Sequence, residues 1–298
     1  MRAGSQGEPV VLALDVGGTT VEAAVVGSEG AIRGEVLLES PDDADAAAIL
    51  DCFGGLLTHL RRRAEAAGQR PVAAGLGMPG PFDYPRGVSR MRHKLAAVRG
   101  LDLRAPLEAA VELPVYFFND ATAFAIGAWW HEHSDEPRLI GLTIGTGLGS
   151  GFVVAGRPVA MEEGAPSSGE LWDFPFRGGI LEDAVSGRAV SRSYRRRSGQ
   201  ALEAGEIAGR ARAGDVAALE AFTRLGEALG EGLAAAAAPF GPTRVVCGGQ
   251  IAKAFDLFGS RAQAAYRRLT ATDVVFSAPG NPHLALLGVA RCLAWETL

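Results

Sequence analysis

Apolar and polar positions fall in short blocks along this chain, and the blocks change period at glycine, proline and aspartate. Residues 10–14 form an apolar run that reads as a buried strand and ends in Asp15-Val-Gly-Gly-Thr-Thr20. Residues 21–26 read as a second strand, Gly27-Ser-Glu-Gly30 as a turn and residues 31–38 as a third strand. The glycine pair therefore joins strand to strand, as a hairpin turn does. A helix is predicted from residue 41 to about residue 67, with Ile49, Leu50, Phe53, Leu57 and Leu60 at helical spacing. Residues 71–76 read as a strand leading into the loop Gly77-Met-Pro-Gly-Pro-Phe-Asp83. A loop at Met91-Arg-His-Lys94, a short helix over 103–111, a strand over 113–118 and a helix over 121–131 follow.

The second half repeats the opening pattern. Residues 139–144 read as a strand, Gly145-Thr-Gly-Leu-Gly-Ser-Gly151 as a glycine turn, residues 152–155 as a strand, and Gly156-Arg157 as a turn. Two such strand–glycine–strand units, one in each half, predict an internal duplication of architecture. Residues 162–180 read as loop, 182–197 as a helix and 215–238 as a longer one. A strand over 244–247 meets Gly248-Gly249, then come a helix to about 258, a strand over 274–276 and a terminal helix over 282–295. Strands and helices in this alternation predict an α/β fold.

Composition narrows the function classes. With 48% hydrophobic and 21% charged residues, the chain is neither disordered, collagen-like nor a coiled-coil rod. No apolar run reaches the ~20 residues of a membrane helix, and the first ten positions lack the basic start and apolar stretch of a signal peptide. Cys52, Cys247 and Cys292 are widely spaced and odd in number, which predicts reduced thiols in a cytoplasmic protein. A net charge of −5 argues against general nucleic-acid binding.

The glycine turns are the first candidates for chemistry. Glycines let backbone N–H groups approach an anion with no Cβ in the way, although two ordinary hairpins would read the same. Two of them, with Asp15, Thr19 and Thr146 supplying an acid and hydroxyls, favour nucleotide phosphate. No G-x-x-x-x-G-K-[ST] occurs, so a P-loop is excluded. The glycines of 145–151 alternate and open a strand where a dinucleotide fold opens a helix, which disfavours an NAD enzyme. Asp120, at a strand end and helix start, reads either as a helix N-cap or as a base for a substrate hydroxyl, and the two are compatible. Glu170, Asp173 and Glu182 form an acidic group that is either solvated or suited to the paired hydroxyls of a polyol. Trp172, Phe174 and Phe176 nearby suit a sugar face or a core.

Taken in order, Asp15-Val-Gly-Gly-Thr19, Gly77-Met-Pro-Gly-Pro-Phe-Asp83, Asn119-Asp120-Ala121, Gly145 to Gly151, Gly169-Glu170, Leu181-Glu182 and Gly248-Gly249 resemble the ROK family of sugar kinases and repressors, over nearly the whole chain. The resemblance implies the actin-like, ribonuclease-H-like fold, with two α/β domains closing over a cleft. Residues 1–119, joined by the C-terminal helix 282–298, would form one domain, and 120–281 the larger second. It implies Asp120 as catalytic base with Asn119 beside it on the sugar, and Asp15 holding Mg²⁺ through water. Gly17, Gly18, Thr19, Thr20, Gly145, Thr146, Gly147 and Gly149 match the phosphate loops, and Gly248 and Gly249 the adenosine side. Gly80, His93, Lys94, Glu170, Asp173 and Glu182 fall on the sugar side.

Departures from the family pattern are specific. Asp173 stands where many members carry a histidine, and Phe174 to Ile180 replaces the cysteine cluster that binds zinc, so no zinc is expected. His93-Lys94-Leu95 replaces the usual asparagine-leucine of the sugar loop. The first strand starts by Val10, leaving no room for the repressors' helix-turn-helix domain and favouring the kinase branch. The expectation is a cytoplasmic, homodimeric, ATP-dependent kinase acting on a hexose, at the 6-OH of glucose or a related sugar, with neither nucleic acid nor membrane as partner. An N-acetylhexosamine kinase, a catalytically silent sugar sensor and a phosphohydrolase are the alternatives, and polyphosphate is a conceivable donor.

Overall fold

A computed structural model describes residues 7–161, 163–166, 169–270 and 272–297. The opening six positions of the N-terminal reading, and residues 162, 167 and 168 of the predicted 162–180 loop, lie outside the described residues.

The chain divides into two compact units, Met1–Ala123 with His283–Leu298, and Phe124–Pro282. In the first, β1 (Pro9–Val16), β2 (Thr20–Gly27) and β3 (Ile32–Glu39) run as an antiparallel meander. Helix α1 (Ala46–Ala66) leads to β4 (Arg70–Met78), which lies parallel to β1. The small hairpin β5 (Phe82–Asp83) and β6 (Val88–Ser89), and helix α2 (Arg104–Val111), precede β7 (Val115–Asn119), parallel to β4. Sheet order is β3-β2-β1-β4-β7.

Helix α3 (Asp120–Glu132) leads into β8 (Arg138–Ile144), β9 (Leu148–Val154) and β10 (Arg157–Val159), again an antiparallel meander. Between them and the next long strand lie the hairpin β11 (Pro175–Phe176) and β12 (Gly179–Ile180), then α4 (Leu181–Ala184), α5 (Gly187–Ser198), α6 (Ala204–Arg212) and α7 (Val216–Ala237). Strand β13 (Arg244–Gly248), helix α8 (Phe255–Leu269), strand β14 (Val275–Ser277) and helix α9 (Leu284–Thr297) complete the chain. The second sheet has the order β10-β9-β8-β13-β14, with β13 parallel to β8 and to β14. Three antiparallel strands followed by two parallel ones thus occur twice, which is the duplication predicted from the two glycine turns.

Each unit has its own core. Leu12 and Leu14 of β1, Leu76 of β4 and Phe117 of β7 pack with Phe53, Leu57 and Leu60 of α1. Ile140, Leu142 and Phe152 pack with Phe222 and Leu229 of α7 and Phe258 and Tyr266 of α8. Helix α9 lies with the first unit, and Gly288 sets how closely: a methyl there would stand 1.6 Å from the Ala123 carbonyl oxygen.

Local differences from the sequence reading have local causes. Helix α1 begins after Asp45, whose carboxylate accepts the Ala48 N–H at 2.9 Å, so residues 41–45 lie before it. The helix predicted over 182–197 is broken at Ser186, whose hydroxyl caps α5 by accepting the Ala189 N–H at 3.3 Å. Helix α6 was absent from the reading; its start is closed by the Glu203 N–H donating to the Glu206 carboxylate at 3.3 Å. Part of the predicted 162–180 loop is the β11–β12 ladder, Pro175 pairing with Ile180. After Gly249 the chain makes a 3-10 turn, Gln250–Ala254, and the following helix runs to Leu269, well past residue 258, because Phe258, Ala262 and Tyr266 continue one buried stripe.

Candidate active site

In the first unit, three parallel strands end together. Register places Asp15 of β1 beside Gly77 of β4, and Met78 of β4 beside Asn119 of β7. Ligands of open α/β sheets bind at such carboxyl ends. The bare face of Gly77 brings Asp15 and Asp120 to one point: a methyl there would lie 3.4 Å from Asp15 Oδ1 and 3.6 Å from Asp120 Cα.

Helix α3 starts at this point. Asn119 Oδ1 accepts the Thr122 N–H at 2.9 Å, so Asn119 makes the cap bond. Asp120 Oδ1 accepts the adjacent Ala121 N–H at 2.8 Å. Asn119 Nδ2 donates to the Tyr84 hydroxyl at 3.0 Å, which donates to the Met78 carbonyl at 3.2 Å. The chain Met78–Tyr84–Asn119 fixes the residue next to the candidate base.

The electrostatics are those of crowded acids. Burial, then the Asp120 carboxylate, then Glu22 push the Asp15 carboxyl up to about 8. Burial also raises Asp120, opposed by the Ala121 N–H and by the positive charge of Lys94. Glu22 faces Asp15 across the β1–β2 ladder and contacts His283 Nδ1 at the start of α9. The Gly17 N–H donates to the Thr20 carbonyl at 2.8 Å and closes the turn, leaving Gly18 and Thr19 exposed at its tip. Lys94 lies over that turn: a methyl on Gly18 would be 3.1 Å from Lys94 Cε. His93 is exposed, as is Gly80, whose peptide bond to Pro81 is cis.

The fit to Mg²⁺ can be tested on these residues. Among the described residues, no three His, Cys, Asp or Glu side chains gather as metal ligands. A magnesium ion that arrives with phosphates needs only one or two carboxylates. Asp15, an oxygen donor destabilised by two neighbouring acids, fits that requirement.

The second unit carries the other glycine turn. The Gly145 N–H donates to the Gly147 carbonyl at 2.9 Å, and the Gly187 N–H donates to the Gly145 carbonyl at 2.8 Å, tying the turn to α5. Thr146 is exposed at its tip, with Gly149 following in β9. Glu182 is held against this turn: its Oε2 accepts the Leu148 N–H at 3.0 Å, and Oε1 pairs with Arg188 at 2.5 Å. Expected on the sugar side, Glu182 has both oxygens engaged by protein groups. Glu170 accepts the Trp172 indole N–H at 2.6 Å, and Asp173 is exposed beside it. Trp172 is exposed, whereas Phe174 and Phe176 pack on the core. The buried Ser150 hydroxyl accepts the Leu171 N–H at 3.0 Å, fastening this acidic loop to β9.

Gly248 and Gly249 follow β13. A methyl on Gly248 would meet the Phe124 ring at 2.4 Å, so close packing alone requires glycine there. Gly249 has φ +83°, and a methyl on it would stand 2.6 Å from the Ile144 carbonyl oxygen, which holds this loop against the end of β8. Ile180 is a ladder residue of β12, paired with Pro175.

Sequence reasoning missed Tyr84, Glu22 and His283. Glu22 had a signal: a two-residue turn at Gly18-Thr19 sets it opposite Asp15. Tyr84 and His283 reach the site from distant parts of the chain and had none.

The comparisons agree with one another. The family model described as "ROK family" matches residues 11–290. N-acetyl-D-glucosamine kinase of Salmonella heidelberg is 30% identical over 214 residues, covering 65% of this chain and 68% of that one. The ROK hexokinase of Thermus thermophilus superimposes with a TM-score of 0.80 at 29% identity, covering 96% of this chain and 99% of its own. A ROK family glucokinase from Streptomyces griseus, solved with glucose and AMPPNP, has a TM-score of 0.76 at 24% identity over 95% of this chain and 98% of its own, a likeness of fold. With its motifs in order and its duplicated sheets in place, the chain belongs to the ROK family.

Proposed function

We propose that this protein is an ATP-dependent sugar kinase that transfers the γ-phosphoryl group of Mg-ATP to a hexose hydroxyl, the 6-OH of glucose or a related hexose. The observation that carries this reading is the meeting of Asp120 and Asp15 at Gly77, beside the Gly17–Thr20 turn. Asp120 accepts the proton of the hydroxyl as its oxygen bonds to the γ-phosphorus and the bond to the bridging oxygen of ADP breaks. General-base help of this kind is worth about 10²–10⁴ in rate. Holding the hydroxyl in line contributes more, up to ~7–11 kcal/mol of the barrier. Asn119 orients the sugar, itself held by Tyr84.

Asp15 would hold Mg²⁺ through water, and the ion when bound supplies charge neutralisation on the phosphates. The Gly17–Thr20 turn and the Gly145–Gly149 turn each serve phosphate in this reading, and Gly248-Gly249 the adenosine. Glu170 and Asp173 serve the sugar. Glu182 acts through the Gly145–Gly149 turn that it braces. A cytoplasmic homodimer is part of this reading and rests on the family likeness.

A second acceptor class has its own support. The Salmonella relative is an N-acetyl-D-glucosamine kinase, so N-acetylhexosamines stand beside hexoses as candidates. The test is ADP release from Mg-ATP over a panel of hexoses, amino sugars and N-acetyl sugars, with a no-sugar blank. Sugar-dependent ADP is expected. ADP in the blank alone would mean hydrolysis, and silence across the panel from protein that binds ATP would mean a sensor.

A further inference from the structure

Lys94 is one of two lysines among 29 basic residues. The loop that presents it is anchored on both sides. Met91 and Leu95 are buried in the core of the first unit, with Arg92, His93 and Lys94 between them. Leu95 takes the left-handed conformation, φ +45°, and its N–H donates to the Asp42 carboxylate. A non-glycine residue in that conformation is costly and is kept where the surroundings demand it.

Anchored so, the side chain is laid along the β1–β2 glycine turn. A methyl on Gly18 would be 3.1 Å from Cε, 3.5 Å from Cδ and 3.6 Å from Nζ. The ammonium group therefore sits at the tip of the turn that matches the family's phosphate loop, while the acidic pair Asp15 and Asp120 lies at the strand ends of the same unit. An ammonium is a compact charge with three donors, suited to phosphate oxygens. A neutral hexose hydroxyl offers it no charge to match.

We infer that Lys94 contacts the transferring phosphoryl group, not the sugar. The inference rests on the kinase reading, and it puts the Lys94 charge on the phosphoryl side. The contact is made to the group that is transferred and helps hold it in line with the acceptor, so its effect falls on turnover.

The test uses the full chain carrying Lys94→Asn or Lys94→Arg. Two readouts are taken: kcat and KM with the sugar found in the panel, and calorimetric affinities for a non-hydrolysable ATP analogue and for ADP. A charge-assisted bond to phosphate predicts that Lys94→Asn weakens the analogue by about 10-fold or more while leaving ADP within about twofold. The same variant should lower kcat by at least about 10-fold and leave the sugar KM within about twofold, and Lys94→Arg should restore most of both. Equal loss of analogue and ADP, or no loss of either, overturns the inference. So does a raised sugar KM at unchanged kcat, which would return Lys94 to the sugar. The kinase reading fails separately, through a wild-type protein with no sugar-dependent ADP, and the analogue-against-ADP comparison needs no turnover. Lys94 is only partly buried, so both variants should fold.

Discussion

Asp15 and Asp120 converge on Gly77, whose missing side chain leaves 3.4 Å to Asp15 Oδ1 and 3.6 Å to Asp120 Cα. These two acids, at strand ends on either side of β4, repel each other, and Glu22 adds a third from the β2 side. The arrangement suits a site that is completed by positive charge: a divalent ion at Asp15 and the Lys94 ammonium near Asp120.

Asp15 has a carboxyl raised from 3.8 to about 8. In metal-free protein the folded state then keeps a proton that the unfolded chain has already lost between about pH 4 and pH 8. Stability must therefore fall as pH rises through that window, and the contribution is fully present only below it. Asp15→Asn removes this dependence. Each tenfold change in proton affinity is worth about 1.4 kcal/mol, and partial exposure reduces what is realised, so a gain on the order of 1–3 kcal/mol at pH 8 is expected. Denaturant melts at pH 5 and pH 8 without metal check it; equal pH slopes in the two proteins would contradict the assignment.

Tyr84→Phe removes the hydroxyl between Asn119 and the Met78 carbonyl. A neutral hydrogen bond is worth about 0.5–1.5 kcal/mol, or roughly a 2- to 10-fold effect. If Tyr84 positions Asn119 for the sugar, the rise should fall on the sugar KM, with the nucleotide KM unchanged. Steady-state kinetics with each substrate varied separates the two, and a change confined to the nucleotide would sink the idea.

Gly288→Ala tests the packing of α9. The added methyl would stand 1.6 Å from the Ala123 carbonyl oxygen, backbone that has no rotamer to yield. Overpacking of this severity should cost about 3 kcal/mol or more and lower the melting temperature by several degrees. An unchanged melting temperature would show that α9 lies farther from α3 than described.

Much of this was legible because glycine punctuates apolar runs. Asp15 to Thr20 and Gly145 to Gly151 each read as a hairpin, and both ladders pair antiparallel around them. The register of the first also contains the Asp15–Glu22 pairing, which went unread. Asp120 could not be separated from an N-cap by position alone; the bond from the Thr122 N–H to Asn119 does so. Helix α6 escaped notice because it is nine residues long and its start is marked by glutamates, not by serine or threonine. The break between α4 and α5 was masked by Val185 and Val190, whose apolar spacing runs across Ser186. Tyr84 and His283 required the chain to be folded first, since their partners Asn119 and Glu22 lie 35 and 261 residues away.

The central claim is that Asp120 takes the proton of a sugar hydroxyl. Its most direct test is sugar-dependent ADP release by Asp120→Asn beside the wild type, with ATP affinity measured on both. The account predicts turnover reduced by at least about 10²-fold with ATP affinity and melting temperature nearly unchanged. Near-normal turnover by Asp120→Asn would contradict it.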